Sequence, residues 1–162
     1  MADARDLGTW SSGRLSAALW FRRRPIRVSN TGRPRLPADA TFDWHTIEGP
    51  CVVKHDGRYY CFYSGANYQT TRYGVDYIVA DHPLGPYSGQ GDHARVLHGV
   101  PDKVRGPGHH SIVPSPDGRA QYLVYHAWDP AMKVRWMCID NLTWTPDGPR
   151  GEGPTFTPQP AP

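Results

Sequence analysis

An all-β fold of short antiparallel strands, arranged as part of a β-propeller, is what this sequence predicts, and three observations predict it. The 17 Gly and 17 Pro among 162 residues make a turn-rich composition that interrupts long helices and favours short strands. Asp56-Gly57 and Asp117-Gly118 each stand between two runs rich in aromatic and β-branched residues. Asp-Gly is the favoured type I′ hairpin turn, because both central residues need positive φ. Finally, the same order of runs and turns occurs twice at a spacing of about sixty residues, and repeated four-stranded units are the sequence mark of propeller blades.

The first unit is read as strands over 51–54 and 59–64, a turn at 55–58 and a third strand over 73–80. The second repeats this with 111–114, a turn at 116–119, 121–126 and 133–139. An outer fourth strand is expected over 84–87 in the first unit and 141–144 in the second. A similar signature stands alone at Asp6-Leu7-Gly8-Thr9-Trp10, which reads as the tail of a preceding blade. Residues 1–41 are thus expected to be an N-terminal arm carrying that remnant strand. Residues 42–162 are expected to supply two blades, about 42–100 and 101–150, and a Pro-rich tail. Within the arm, residues 15–21 are apolar enough for one helical turn or one strand, while Pro25, Pro34 and Pro37 prevent a long regular element.

Charge and cysteine usage exclude several classes. The net charge is only +3, and the basic cluster Arg22-Arg23-Arg24 with Arg27, Arg33 and Arg35 lacks the interleaved aromatics of a nucleic-acid groove. A solvated arm is the expectation, with no nucleic-acid partner. The apolar run at 15–21 is too short to span a bilayer and precedes its arginines, so neither a membrane anchor nor a signal peptide is expected. Cys51, Cys61 and Cys138 make an odd number without a Cys-x-x-Cys pair, which points to buried free thiols and a cytoplasmic location.

Several motifs occur in a fixed order: Ile47-Glu48-Gly49-Pro50, Asp56-Gly57-Arg58-Tyr59-Tyr60, Phe62-Tyr63-Ser64-Gly65, Gly106-Pro107-Gly108-His109 and Tyr125-His126-Ala127-Trp128, closing on Trp144 with Asp147-Gly148-Pro149. As an ordered set, these resemble the C-terminal two blades of glycoside hydrolase family 43. That family comprises five-bladed β-propellers of the β-xylosidase and α-L-arabinofuranosidase type. The resemblance implies a carbohydrate substrate and Glu48 as general acid. A general acid must hold its proton until the glycosidic oxygen departs, which asks for partial burial or a neighbouring carboxylate; Trp44 and Tyr63 are the expected desolvating walls. Arg135 falls where relatives place an arginine reaching the substrate and the catalytic carboxylates. His126 and Trp128 are expected to line the sugar site. His109 matches the histidine that in relatives helps hold a calcium ion or waters on the propeller axis, and alternation along a strand lets at most one of His109 and His110 face that axis.

Two further carboxylates of the family, a base and one that tunes the acid, belong to upstream blades and have no matching motif in this sequence. Inverting hydrolysis places acid and base roughly 6.5–9.5 Å apart. Asp76, Asp92, Asp102 and Asp129 are the unranked candidates for a substitute base. Three functions follow: a truncated glycosidase on xylose- or arabinose-containing glycosides, a non-catalytic carbohydrate-binding remnant, or a promiscuous hydrolase such as an esterase using His109 or His110. The last has no Gly-x-Ser-x-Gly elbow behind it. Two blades would leave apolar flanks exposed, so a homo-oligomer, with a dimer favoured, is the expected assembly.

Overall fold

The computed structural model describes residues 46–158, and within them two antiparallel sheets. The first has three strands in the order β1 (Ile47–His55), β2 (Arg58–Gly65) and β3 (Gly74–Ala80); the second has four, β4 (Arg105–Pro114), β5 (Gln121–Trp128), β6 (Arg135–Thr145) and β7 (Gly148–Gly151). The expected arm at 1–41, its strand at 6–10, the arginine cluster and Trp44 lie outside the described residues. No helix among the described residues is long and apolar enough to cross a membrane. Cys51, Cys61 and Cys138 are free thiols, half-buried rather than fully buried, and burial pushes the Cys61 thiol up to about 11.

The first hairpin closes as predicted, with Asp56 and Gly57 at φ 46° and 78° between paired His55 and Arg58. The second does not. Only Gly118 there has positive φ (71°), and the turn begins earlier, with Gly118 N–H donating to Ser115 O at 2.9 Å. Pro116 explains the difference: its φ near −65° suits the first central position of a type I turn and forbids type I′. The outer strands also differ from expectation. Residues 141–144 are the second half of the eleven-residue β6, because no turn residue interrupts the chain until Pro146-Asp147-Gly148, and β7 follows that turn. Among the described residues the first sheet has no regular fourth strand. Its outer position holds isolated bridges, Val79 to Ser88 and Val75 to Leu97; Pro83 and Pro86 lack the N–H groups a ladder over 84–87 would need.

Alternation decides what each face buries. Tyr60 and Phe62 on β2, with Val75 and Tyr77 on β3, face Leu123, Tyr125 and Ala127 on β5 and Leu142 on β6; Val96, Leu97 and Val104 of the connector fill the space between the sheets. Phe62, Val75, Leu97, Leu123 and Ala127 are wholly inaccessible. Tyr63, Ile78, Cys61 and Ala94 pack on the opposite face of the first sheet. Each sheet buries one aspartate of its third strand against a second-strand tyrosine. Asp76 accepts from Tyr63 Oη at 3.2 Å, and Asp140 accepts from Tyr125 Oη at 2.6 Å and from the Thr155 hydroxyl. These carboxylates tie the segments that follow, 89–95 and 153–155, to their own sheets.

His110 lies in this core, 4% exposed, edge-on to Phe62 at 5.9 Å, with neither ring nitrogen partnered among the described residues. Burial holds its pKa down at about 4 against an ordinary value of 6.5. The imidazole is therefore neutral in the fold and takes a proton more readily unfolded. The stability tied to its neutrality is complete above pH 6.5 and is lost as pH falls towards 4. A loss of about 3 kcal/mol from this one group is expected over that window. Urea midpoints measured across it should fall more steeply than those of His110→Leu.

Candidate active site

The candidate site lies on one edge of the two sheets, because antiparallel order brings together the start of β1, the end of β2, the approach to β3, and likewise the start of β4, the end of β5 and the start of β6. Glu48, Ser64, Tyr73, His109, His126, Trp128 and Arg135 come from those positions in turn. Glu48 pairs with Ser64 across β1 and β2, and a register shift follows at once between Glu48 and Cys51, where Gly49 takes φ 60°. That bulge turns the Glu48 carboxylate towards the second sheet.

Glu48 Oε1 accepts a hydrogen bond from Tyr73 Oη at 2.6 Å, and Oε2 stands 3.7 Å from His109 Nδ1. The Glu48 side chain is 37% exposed and that of His109 57%. His109 has φ 49°, a conformation costly for a residue with a Cβ, within the second of two register shifts in β4, the one between Gly108 and Ser111. Its ring consequently meets Glu48 while His110 enters the core, so one of the two histidines reaches the edge. His109 N–H donates to Ser64 Oγ at 2.8 Å. The His126 ring stacks parallel to Tyr73 at 6.1 Å and lies 6.2 Å from the ring of His109. Burial first, then the Arg135 and His109 charges, lower His126 to about 4, so it is neutral near pH 7. The Arg135 guanidinium lies 4.4 Å from the Trp128 ring centre and 5.4 Å from that of Tyr68, two cation–π contacts.

Two glycines of the motifs acquire a physical reason here. A Cβ on Gly108 would stand 2.4 Å from Tyr73 Cε1 and 3.0 Å from Ser64 Oγ, and one on Gly49 would stand 3.3 Å from His109 Cα. Both glycines make room for the Glu48 cluster.

Of the residues expected from the sequence, Glu48, His109, His126, Trp128 and Arg135 come together on this edge. Tyr63 does not. It neighbours Ser64 on β2 and so points to the other face, where it is 5% exposed and donates to Asp76. Tyr73, Ser64 and Tyr68 belong to the cluster although their positions in the sequence assign them no role. Three of the four candidate bases are engaged with other partners. Asp76 is inaccessible and bound to Arg95 Nε at 2.5 Å; Asp92 meets His93 Nδ1 at 2.5 Å; Asp102 occupies a turn at φ 58°. Asp129 caps its own loop through Lys133 N–H and Val134 N–H at 2.6 and 3.0 Å, donors that hold its carboxyl below the usual range. Calcium takes six to eight oxygens, whereas the partners seen around His109 are one carboxylate and a second imidazole. No group of three or more His, Cys, Asp or Glu side chains among the described residues could hold a metal. The described side chains do not fit a calcium site.

Fold and cluster together define a pair of propeller blades that present a carboxylate, two imidazoles and an aromatic-held arginine at one edge. The chain belongs to the glycosyl hydrolases of family 43, whose model matches residues 21–149. It is 35% identical over 105 residues to the β-D-galactofuranosidase XynD of Aspergillus niger, covering 63% of this chain and 30% of that protein. Among solved structures it is similar to a thermostable family-43 glycoside hydrolase, with TM-score 0.61, 39% identity and coverage of 72% of this chain and 38% of the other. It is also similar to an endo-1,4-β-xylanase from Bacteroides thetaiotaomicron, with TM-score 0.58, 29% identity and coverage of 67% and 38%. A Cellvibrio cellulosa α-L-arabinanase complexed with arabinohexaose gives TM-score 0.53 at 27% identity, with 65% and 36% covered. The chain thus spans between about a third and two fifths of the structures, and less than a third of the galactofuranosidase.

Proposed function

We propose that Glu48 is the general acid for hydrolysis of xylose- or arabinose-containing glycosides. The observation that carries this reading is the asymmetry of its carboxylate: one oxygen is held by Tyr73, the other stands 3.7 Å from the exposed His109 ring, and the side chain as a whole is 37% exposed. A protonated Glu48 held in this way keeps its proton on Oε2, where a departing sugar oxygen can collect it. Arg135, in contact with the Tyr68 and Trp128 rings, supplies guanidinium donors for sugar hydroxyls, and Trp128 with His126 supplies flat walls. The base that activates water is unassigned; none of the four candidate aspartates stands beside Glu48 in the contacts described above.

That engagement of the aspartates favours one second reading, a module that binds carbohydrate without turning it over. An esterase has less behind it: His110 is enclosed, and the hydroxyl next to His109, that of Ser64, meets its backbone N–H rather than its ring. Release of nitrophenol from the xyloside, arabinofuranoside, galactofuranoside and acetate, by the unsubstituted chain and Glu48→Gln, separates the three. A binding module would show tryptophan quenching by xylose or arabinose oligosaccharides and no product.

Self-association belongs to the same reading. Val113, Met137 and Ile139, on the face of the second sheet turned away from the inter-sheet core, are 41%, 85% and 43% exposed, an apolar row of the kind that marks interfaces. A dimer is expected in sedimentation at micromolar concentration, and Met137→Lys should shift it towards monomer; a monomeric parent chain would reject the assembly.

A further inference from the structure

Tyr73 is placed more specifically than contact with Glu48 alone would require. It is wholly inaccessible, the largest such side chain among the described residues, and it is built in from several sides. His126 stacks on its ring, Gly108 leaves room at its edge beside Ser64 Oγ, and its hydroxyl donates to Glu48 Oε1 at 2.6 Å. Ser64 Oγ itself accepts from His109 N–H at 2.8 Å. An ionised carboxylate only accepts, so the phenol is the donor of the Tyr73–Glu48 bond.

Resting on the reading of Glu48 as general acid, we infer that Tyr73 is a positioning residue that selects which Glu48 oxygen carries the catalytic proton. Because Oε1 is occupied by the Tyr73 hydroxyl, the acidic proton resides on Oε2, the oxygen that faces His109. Burial and then the bond to Glu48 push the phenol well above its ordinary range, so it stays a donor throughout the working pH range. The Tyr73 ring reaches no substrate; its effect passes through Glu48. Gly74 extends the support behind it: a Cβ there would meet Leu97 O at 2.3 Å, so the connector is packed directly against the backbone next to Tyr73.

Tyr73→Phe tests this, because it keeps the ring, the stack and the Gly108 contact and removes only the donor. Turnover of an alkyl glycoside, whose poor leaving group needs the acid, is expected to fall roughly 10- to 100-fold with KM held within about twofold, the pattern of misplacement felt in the transition state. The basic limb of kcat/KM, where the acid loses its proton, should move upward, since a hydrogen bond to a carboxylate favours its charged form. A readout without turnover is available because Glu48 and Glu152 are the two glutamates of the chain. With carboxyl-¹³C glutamate, the Glu48 resonance is assigned by its loss in Glu48→Gln. Its titration midpoint should rise by roughly 0.5–1 pH unit in Tyr73→Phe. Gly108→Ala, whose Cβ would displace the Tyr73 ring, should move it the same way, and serves if Tyr73→Phe does not fold. A folded Tyr73→Phe whose midpoint and pH profile match the parent overturns the inference. Equal turnover by Glu48→Gln and the parent would instead remove the acid role, and this positioning role with it, so the two failures appear in different variants.

Discussion

Glu48→Gln is expected to lower glycoside turnover by roughly 10²- to 10⁴-fold, the range that general acid catalysis supplies. The substitution is nearly isosteric. The new amide would still offer a carbonyl oxygen to Tyr73 Oη, so the 2.6 Å contact and the register of position 48 with Ser64 have no reason to change. What is lost is the proton on the second oxygen, because an amide nitrogen cannot release one to an alkoxide. The loss should therefore depend on the leaving group. Glycosides of good leaving groups, which depart as anions with little help, should lose less than alkyl glycosides. Binding should persist, so KM and tryptophan quenching stay close to the parent values. A uniform loss across leaving groups would mean that Glu48 acts on something other than the departing oxygen.

Much of the fold was legible because its signals are local. Asp56-Gly57 demands a tight turn, and the alternation in 59–64 demands a half-buried strand; both depend on neighbours within a few residues. The second turn misled because Ser115-Pro116 outweighs Asp117-Gly118 once proline fixes the backbone, and the outer strands misled because turn residues at 146–148, not at 140, end β6. At the site, Glu48 and Arg135 could be placed from their motifs. Tyr73 could not, since its contacts with Glu48, Ser64 and Gly108 join residues 25, 9 and 35 positions away, and no spacing rule spans a sheet. The one available hint was glycine: Gly49 sits inside a motif at a positive φ that disfavours a side chain, and Gly108 sits where a side chain would suit the strand but not its neighbours. Tyr63 was misassigned for the complementary reason. Alternation alone says that Tyr63 and Ser64 face opposite ways, and only the packed structure says which of the two faces the site.

Arg95→Ala is expected to cost about 3–5 kcal/mol of stability, the penalty for removing one partner of a buried ion pair. Asp76 is 0% exposed, and Arg95 supplies the positive charge beside it, Nε to Oδ1 at 2.5 Å. The same guanidinium donates to Tyr77 O and Gly89 O at 2.6 and 2.7 Å and lies 4.2 Å from the Tyr77 ring centre. One side chain thus fastens the connector to β3 at the position where a fourth strand would otherwise run. Alanine would leave the Asp76 carboxylate enclosed with only neutral donors, Tyr63 Oη and Gly91 N–H. Lysine would keep the charge but not the planar fork that reaches three acceptors, so Arg95→Lys should lie between the two. Adding Asp76→Asn to Arg95→Ala removes the stranded charge and should recover part of the loss, a coupling that a double-mutant cycle in urea would measure. Because Asp76 and Tyr63 face away from the Glu48 edge, turnover per folded molecule should be unchanged well below the melting temperature. A melting curve for Arg95→Ala that overlays the parent's would show that the bridges at Ser88 and Leu97 hold the connector without the clamp. A selective loss of turnover at full stability would instead tie the clamp to the active edge through Leu97, which packs against the backbone beside Tyr73.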